Sequence, residues 1–435
     1  MMKSVVRFWI TAFGAFFIIS SAGASPSSVV VALPVRPSAA DPRDIGTDPL
    51  ARSLERLRFV ALVHVGPAGE IKNVLAHRVI AESPLSWRIV LRKKIRFMSG
   101  REVGADDVVA TYEALRASGG GRAQQLGNVM SVNKTPEGDV VFTLREPDVR
   151  FSERLDAGIL PKEALSMPRQ DLLGMNFESG PYHALKISEN SWILHRNDSY
   201  SALEMGFQKP TLKVISLKFL TEGAARYQAL VKGAVDIVVD GFSSDKITEI
   251  KKRHGAKIRL FSGASQQKLG IGFVKSNPVV GRDEVRRKIL CSVDFAKVER
   301  FSLSPLVSRV SVVDFPTCGE HSSKSEPLSF TVDTVAALED ILLAKGVAAQ
   351  LQKSGFRVDV RVQSEEAFLQ RLVSGNVSVF IDRSFSSALL SSIDFEKNVE
   401  RHQFWNRNVF VATRKPFQEL KPSFDGGVDF LVSIE

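Results

Sequence analysis

The chain has 435 residues, 44% hydrophobic and 24% charged, with a formal net charge of +10. That length supports more than one core, and the charged fraction is ordinary for a globular protein. Lys and Arg are spread along the chain, clustering only briefly at Arg92-Lys93-Lys94 and Lys251-Lys252-Arg253, so no nucleic-acid partner is expected. The only two cysteines, Cys291 and Cys318, form no CxxC pair, and no Cys/His cluster has zinc spacing, so no metal or cofactor is expected.

The chain begins with basic Lys3 and Arg7, an apolar run from Phe8 to Ile19, and the small residues Ala22-Gly23-Ala24. This is the layout of a secretory signal peptide over residues 1–24, and its apolar run is short for a membrane span. No later stretch is apolar for long enough to cross a bilayer, so an exported protein without stable membrane insertion is expected. Ser28 to Leu33 reads as a β-branched strand ended by Pro34, followed by a proline-rich loop. Leu50, Leu54 and Leu57 have helical spacing. Trp87, Ile89 and Leu91 alternate as a strand, and Ile95 and Phe97 resume the alternation. Ser99-Gly100 turns the chain into a helix opened by Ala105-Asp106-Asp107, where carboxylates favour the positive end of the helix dipole. Val108, Val109, Tyr112 and Leu115 share one face of that helix.

Asp139–Leu144 is a strand. Gly180-Pro181 forces a turn before the strand Tyr182–Lys186, which pairs with Trp192–His195. A strand (Thr211–Phe219), a helix (Ala224–Val231), a strand start at Gly233–Ile237 and a helix (Ser243–Arg253) follow. Ile258–Phe261 and Gln267–Val274 read as two separate strands, and Asp283–Arg300 as one helix striped by Val285, Ile289, Val293 and Val298. Leu328–Val332, Leu338–Leu351, Phe356–Val362, Glu365–Val373 and Val377–Ile381 form a βαβαβ run, which predicts parallel pairs joined by right-handed crossovers. Val409–Ala412 is the last strand. Cys291 falls on the apolar side of its helix and Cys318 in a Pro/Gly loop. Oxidation after export would tie that loop to the helix; the reading favoured from the sequence is a buried free Cys291 and an exposed Cys318.

The order Trp87-x-x-x-Leu91-Arg92-Lys93-x-Ile95-x-Phe97-x-x-Gly100-x-x-x-x-Ala105-x-Asp107-Val108-Val109 resembles a signature of the large periplasmic solute-binding proteins of the peptide and nickel class. This is extracellular solute-binding family 5, which feeds ABC importers. Further markers follow the family's order: Asp48-Pro49, Gly69-Glu70-Ile71 with Leu75-Ala76, Gly180-Pro181-Tyr182 with Arg196-Asn197 and Tyr200, Gly233-Ala234-Val235-Asp236-Ile237, Gly272-Phe273 and Val285-Arg286.

The resemblance implies an α/β, two-lobed periplasmic-binding-protein-like fold of class II type, with a discontinuous first lobe and a cleft between lobes. Lobe I would comprise residues 25–262 plus 404–435, with a subdomain at about 60–168; lobe II would comprise 263–403, a shortened version. It implies a periplasmic, monomeric receptor that binds a small solute, a peptide by default, by hinge closure. The receptor would then deliver that solute to an ABC permease in the inner membrane. The cleft residues implied are Pro34, Arg36, Phe177, Phe273, Asp382, Arg383, Trp405 and Asn406. Asp382 stands near where peptide-binding relatives carry an acid for the peptide amine, but the surrounding segment lacks their Trp and Asp-Pro. Arg383 beside it offers a partner for Asp382 or a fork for a ligand carboxylate. The lost motif and short second lobe support an alternative, a divergent receptor acting as a sensor or envelope interaction partner without import. No enzyme constellation is present: no Gly-x-Ser-x-Gly, His-Glu-x-x-His or EF-hand loop, and seven scattered histidines.

Overall fold

The computed structural model describes residues 27–45, 48–65, 70–118, 121–168, 176–309, 318, 327–383, 397–415, 417 and 431. The expected signal peptide and Gly69 lie outside these residues. The first strand, β1 (Ser28–Leu33), is the apolar run read from the sequence, and its inner residues are fully buried. α1 (Pro49–Arg58) starts at the Asp48-Pro49 marker. The Asp48 carboxylate accepts from the N–H groups of Leu50 (2.9 Å) and Ala51 (3.2 Å), and Pro49 occupies the first helical turn, where its missing N–H costs nothing.

The chain then leaves the main sheet to build a subdomain. β2 (Val63–Val65) and β3 (Ile71–Asn73) form a hairpin. β4 (Ala76–Ser83), β5 (Ser86–Leu91), α2 (Ala105–Ala117), α3 (Gly121–Gln125), β6 (Val129–Lys134) and β7 (Val140–Leu144) follow. The four strands form an antiparallel sheet in the order β4-β5-β7-β6. Asp107, not only the dipole, starts α2: its carboxylate accepts from Gly104 N at 2.9 Å and from Arg101 Nη2 at 2.7 Å. The subdomain has its own core, in which Tyr112 meets Phe142 edge-on at 5.0 Å and Phe142 meets Phe151. Val109 is only half-buried, at the margin of the face its spacing predicted.

The main sheet resumes with β8 (Tyr182–Ile187), β9 (Ser191–Arg196) and β10 (Val214–Phe219), then α4 (Gly223–Lys232), β11 (Ile237–Val239) and α5 (Ser244–Glu249). β12 (Arg259–Val274) is a single strand of 16 residues, not the two strands expected. Its middle, Ser262 to Gln267, lacks an apolar rhythm, and only its long pairing with β17 (Val399–Thr413) keeps it extended. β17 likewise reaches ten residues further back than its apolar end, Val409–Ala412, indicates. The expected helix from Asp283 to Arg300 is broken: α6 (Asp283–Cys291) ends, and Asp294 caps a new short helix, α7 (Phe295–Val298), by accepting from Lys297 N at 3.0 Å. β13 (Val307–Arg309) precedes the βαβαβ run β14 (Ser329–Val335), α8 (Leu338–Lys353), β15 (Arg357–Gln363), α9 (Glu365–Val373) and β16 (Val379–Asp382). β14 pairs in parallel with both β15 and β16, as that run predicts. The cysteine reading is corrected: Cys291, the last residue of α6, and Cys318 form a disulfide.

All the main strands belong to one sheet of 11, ordered β15-β14-β16-β12-β17-β11-β1-β10-β9-β8, with β13 alongside β17. The fold is a two-lobed α/β receptor fold. β12 and β17 cross from one lobe to the other, and both lose register at the crossing, between Ala264 and Lys268 and between Leu269 and Gly270. One apolar core follows these two strands from Leu230 and Phe410 on one side to Phe273 and Val379 on the other.

Candidate functional site: the seam between the lobes

Strand directions define the site. β1, β10 and β11 are mutually parallel, and β11 runs antiparallel to β17. β17 is antiparallel to β12, which is antiparallel to β16, which is parallel to β14. β12 passes from the first lobe to the second, so its companions β1, β10 and β11 point their carboxyl ends toward the second lobe. The strands β14, β15 and β16 point theirs back toward the first. In each lobe the earliest parallel strand lies between the two later ones, in the orders β10-β1-β11 and β15-β14-β16. Each lobe therefore has a topological switch point at its carboxyl edge, the place where open α/β sheets bind ligands, and the two switch points face each other.

The two lobes also repeat a short pattern at this edge. Gly233, left-handed at the end of α4, leads through Val235 and β11 to Asp240; Gly375, left-handed after α9, leads through Val377 and β16 to Asp382. The spacing Gly-x-Val-x-x-x-x-Asp is identical. Both aspartates are held by β17. Asp240 is bound by the Arg407 guanidinium. Asp382 accepts from Gln403 Nε2 at 2.8 Å and lies 3.9 Å from Arg401 Nε. Arg407 Nε also donates to Glu339 Oε1, in the first turn of α8, at 3.2 Å. Burial alone would lower the Arg407 pKa, but the carboxylates of Asp240 and Glu339 outweigh it and hold the guanidinium above its ordinary value. Arg226 is buried behind Asp240 and donates to the carbonyls of Thr221 (2.7 Å), Leu220 and Gly241 (3.0 Å), tying the ends of β10 and β11 together. Burial lowers its pKa.

The residues expected at the cleft divide by position. Pro34 and Arg36 follow β1 at its carboxyl end, where Arg36 is exposed and 3.7 Å from Glu189. Asp382 and Arg383 end β16 on the facing edge; Asp382 is fully buried, and Arg383 Nε lies 3.6 Å from Asp340 Oδ2. Asn406, half-buried, pairs with Lys268 at the crossing. Trp405 is beside it in sequence but packs inward, 1% exposed, against Phe295 and Phe404, with its indole N–H donating to Glu299 at 3.0 Å. Phe273 is fully buried further along β12 and meets His402 edge-on. Phe177, half-buried, precedes β8, whose first residue lies at the end of the sheet remote from the seam.

Sequence reasoning missed Asp240, Glu339, Asp340, Arg407 and Arg226. The repeated Gly-x-Val-x-x-x-x-Asp spacing was the available signal for the first. Nothing local marks Arg407, since its partners are 167 and 68 residues away. Among the described residues, no group of three or more His, Cys, Asp or Glu side chains is arranged to hold a metal ion. No helix among them is long and apolar enough to cross a membrane.

Comparisons with known proteins agree with this architecture. The oligopeptide-binding protein AppA of Bacillus subtilis is 24% identical over 266 residues, 57% of this chain and 46% of that protein. The D,D-dipeptide-binding periplasmic protein DdpA of Escherichia coli, so named as probable, is 24% identical over 48% of this chain and 41% of its own. The chain thus matches less than half the length of these curated relatives. Among solved structures, NikA from Brucella suis in complex with Fe(III)-EDTA superposes with a TM-score of 0.77 at 13% identity, covering 94% of this chain and 99% of that one. AppA from Bacillus subtilis in complex with a nonapeptide gives 0.67 at 17% identity, covering 94% and 98%. The family profile for the middle region of bacterial extracellular solute-binding proteins, family 5, matches residues 70–300, more than half of the chain, and the chain belongs to that family.

Proposed function

We propose that the chain is the substrate-binding component of an ABC importer. It takes up a small solute, a peptide by default, in the seam between its lobes. It closes by rotation about β12 and β17, and it presents the closed form to a permease in the inner membrane. It works as a monomer in the periplasm. The observation that carries this reading is the pair of switch points facing each other across the long strands β12 and β17. That arrangement gives a ligand contacts on both lobes, so ligand binding favours closure. The relatives named for oligopeptide and dipeptide binding support the peptide class. Pro34 and Arg36 on one edge, and Arg383 and Asn406 on the other, are the proposed ligand contacts. Phe273 and Trp405 support the seam from within the core, and Asp382 is engaged with Gln403. Asp382 is fully buried, so a ligand amine reaches its carboxylate only after the side chains covering it move.

The test is native mass spectrometry of protein purified gently from periplasm, repeated after denaturation and refolding. A defined extra mass lost on denaturation, and restored with a fall in radius of gyration when that compound is added back, is the expected result. A bare chain mass with no thermal shift against peptides and metal chelates would reject solute capture and favour a receptor fold turned to sensing or envelope interaction.

A further inference from the structure

Arg407 occupies the one stretch of β17 that passes between lobes, between Asn406, paired with Lys268, and Asn408, paired with Ala264. Its guanidinium is shared by two carboxylates that belong to opposite lobes. Asp240 comes from the carboxyl end of β11 and Glu339 from the first turn of α8. The three side chains are 14%, 12% and 10% exposed.

The first-lobe partner is fixed in place by its backbone. Asp240 is one of three non-glycine residues with positive φ among those described, at 57°, and Gly241 follows at 73°. Aspartate tolerates that left-handed conformation better than most residues, but it persists only where its surroundings impose it. Here Arg226 imposes it from behind. It holds the Gly241 carbonyl, and a Cβ on Gly241 would collide with its guanidinium. The Asp240 carboxylate is thereby turned out of the first lobe toward Arg407. On the second lobe, Glu339 sits at the start of a 16-residue helix, where a carboxylate is favoured.

We propose that Arg407 is an interlobe latch: it holds the lobes in this orientation without any solute and so sets the balance between open and closed receptor. The proposal rests on the reading that the seam opens and closes around a solute. An ion pair within one lobe is indifferent to the angle between lobes. This triad is not, because separating the lobes parts Arg407 from one carboxylate or the other. Removing the guanidinium leaves Asp240 and Glu339 facing each other across a poorly hydrated seam. Their repulsion and their lost solvation are both relieved by opening. A latch that favours this orientation raises the fraction of chains in it, and so changes the apparent affinity of any solute that binds one orientation better than the other.

The test uses the mature chain stripped of bound solute by denaturation and refolding, with small-angle X-ray scattering as the readout. Arg407→Ala is expected to increase the radius of gyration over the parent chain. Glu339→Gln is expected to shift it in the same direction by less, and Arg407→Lys to stay near the parent value. Circular dichroism checks that each variant is folded. If Arg407→Ala does not fold, Glu339→Gln and Asp240→Asn carry the test. Folded variants with the parent's radius would overturn the latch. No solute enters the measurement, so a chain that captures none still gives an answer, and loss of the latch leaves the mass-spectrometry test untouched.

Discussion

Gly180 is the residue at which one methyl group has the most legible consequence. Its N–H donates to the Arg58 carbonyl at 2.8 Å, beside Ser179 N at 3.0 Å, so the turn before β8 rests directly on the end of α1. A Cβ there would meet Arg58 C at 2.6 Å, Leu57 O at 2.8 Å and Phe59 N at 2.8 Å. All three are backbone atoms, and no rotamer change relieves the contact. Overpacking of this kind costs up to about 3 kcal/mol. Lengthening the two hydrogen bonds to Arg58 adds about 1 kcal/mol each, and the stiffer unfolded chain returns about 0.5–1 kcal/mol. Gly180→Ala is therefore expected to lose up to about 4–4.5 kcal/mol. Urea titration followed by tryptophan fluorescence measures this, since Trp192 lies in the same core as Leu57 and Tyr182. Gly100→Ala is the control. Gly100 has a φ of 86° but nothing within 4 Å of its added Cβ, so only backbone strain of about 1 kcal/mol applies. If Gly180→Ala is no more destabilising than Gly100→Ala, the close-approach argument is wrong.

Two further outcomes follow from the same structure. Cys291 and Cys318 are 27 residues apart, and opening their disulfide is expected to cost about 3.5 kcal/mol by the chain-entropy model. A thiol assay on the denatured, unreduced protein checks the pairing, and any free thiol contradicts it. His183 faces His195 across β8 and β9, with ring centroids 6.0 Å apart. Burial depresses its pKa below the ordinary 6.5, assisted by His195 and opposed by Glu178 and Asp198. The unfolded chain therefore takes up this proton first, so stability present above pH 6.5 falls as pH drops toward the folded value. Replacing His183 by Gln should flatten that part of the pH–stability curve, and superimposable curves would refute the assignment.

Elements with a local rhythm were legible in the chain. The alternation of Trp87, Ile89 and Leu91 made β5, the 365–373 helix fell where its spacing put it, and the βαβαβ order implied the parallel second-lobe sheet. The marker glycine in Gly180-Pro181 was recognisable by resemblance, but its reason, contact with the end of α1, was not. The family likewise followed from ordered residue types, each set within a few tens of positions.

Other features depended on partners far along the chain, which periodicity does not reach. β12 and β17 are continuous because each pairs with the other across more than a hundred residues, although the middle of β12 is polar or small and that of β17 sets Phe404 and Trp405 among polar residues. Trp405 lies in a mostly polar run, and only its packing against Phe295 and Phe404 makes it core. Cys318 is bonded to Cys291, 27 residues away, a pairing that local periodicity does not reach. Neighbours within a turn or a pleat set most strands and helices and the family they compose, but not the unbroken β12 or the break between α6 and α7. Only the tertiary structure brought Asp240 and Glu339 to one guanidinium, because a strand's end and a helix's start meet only when two sheets aim their carboxyl edges at each other.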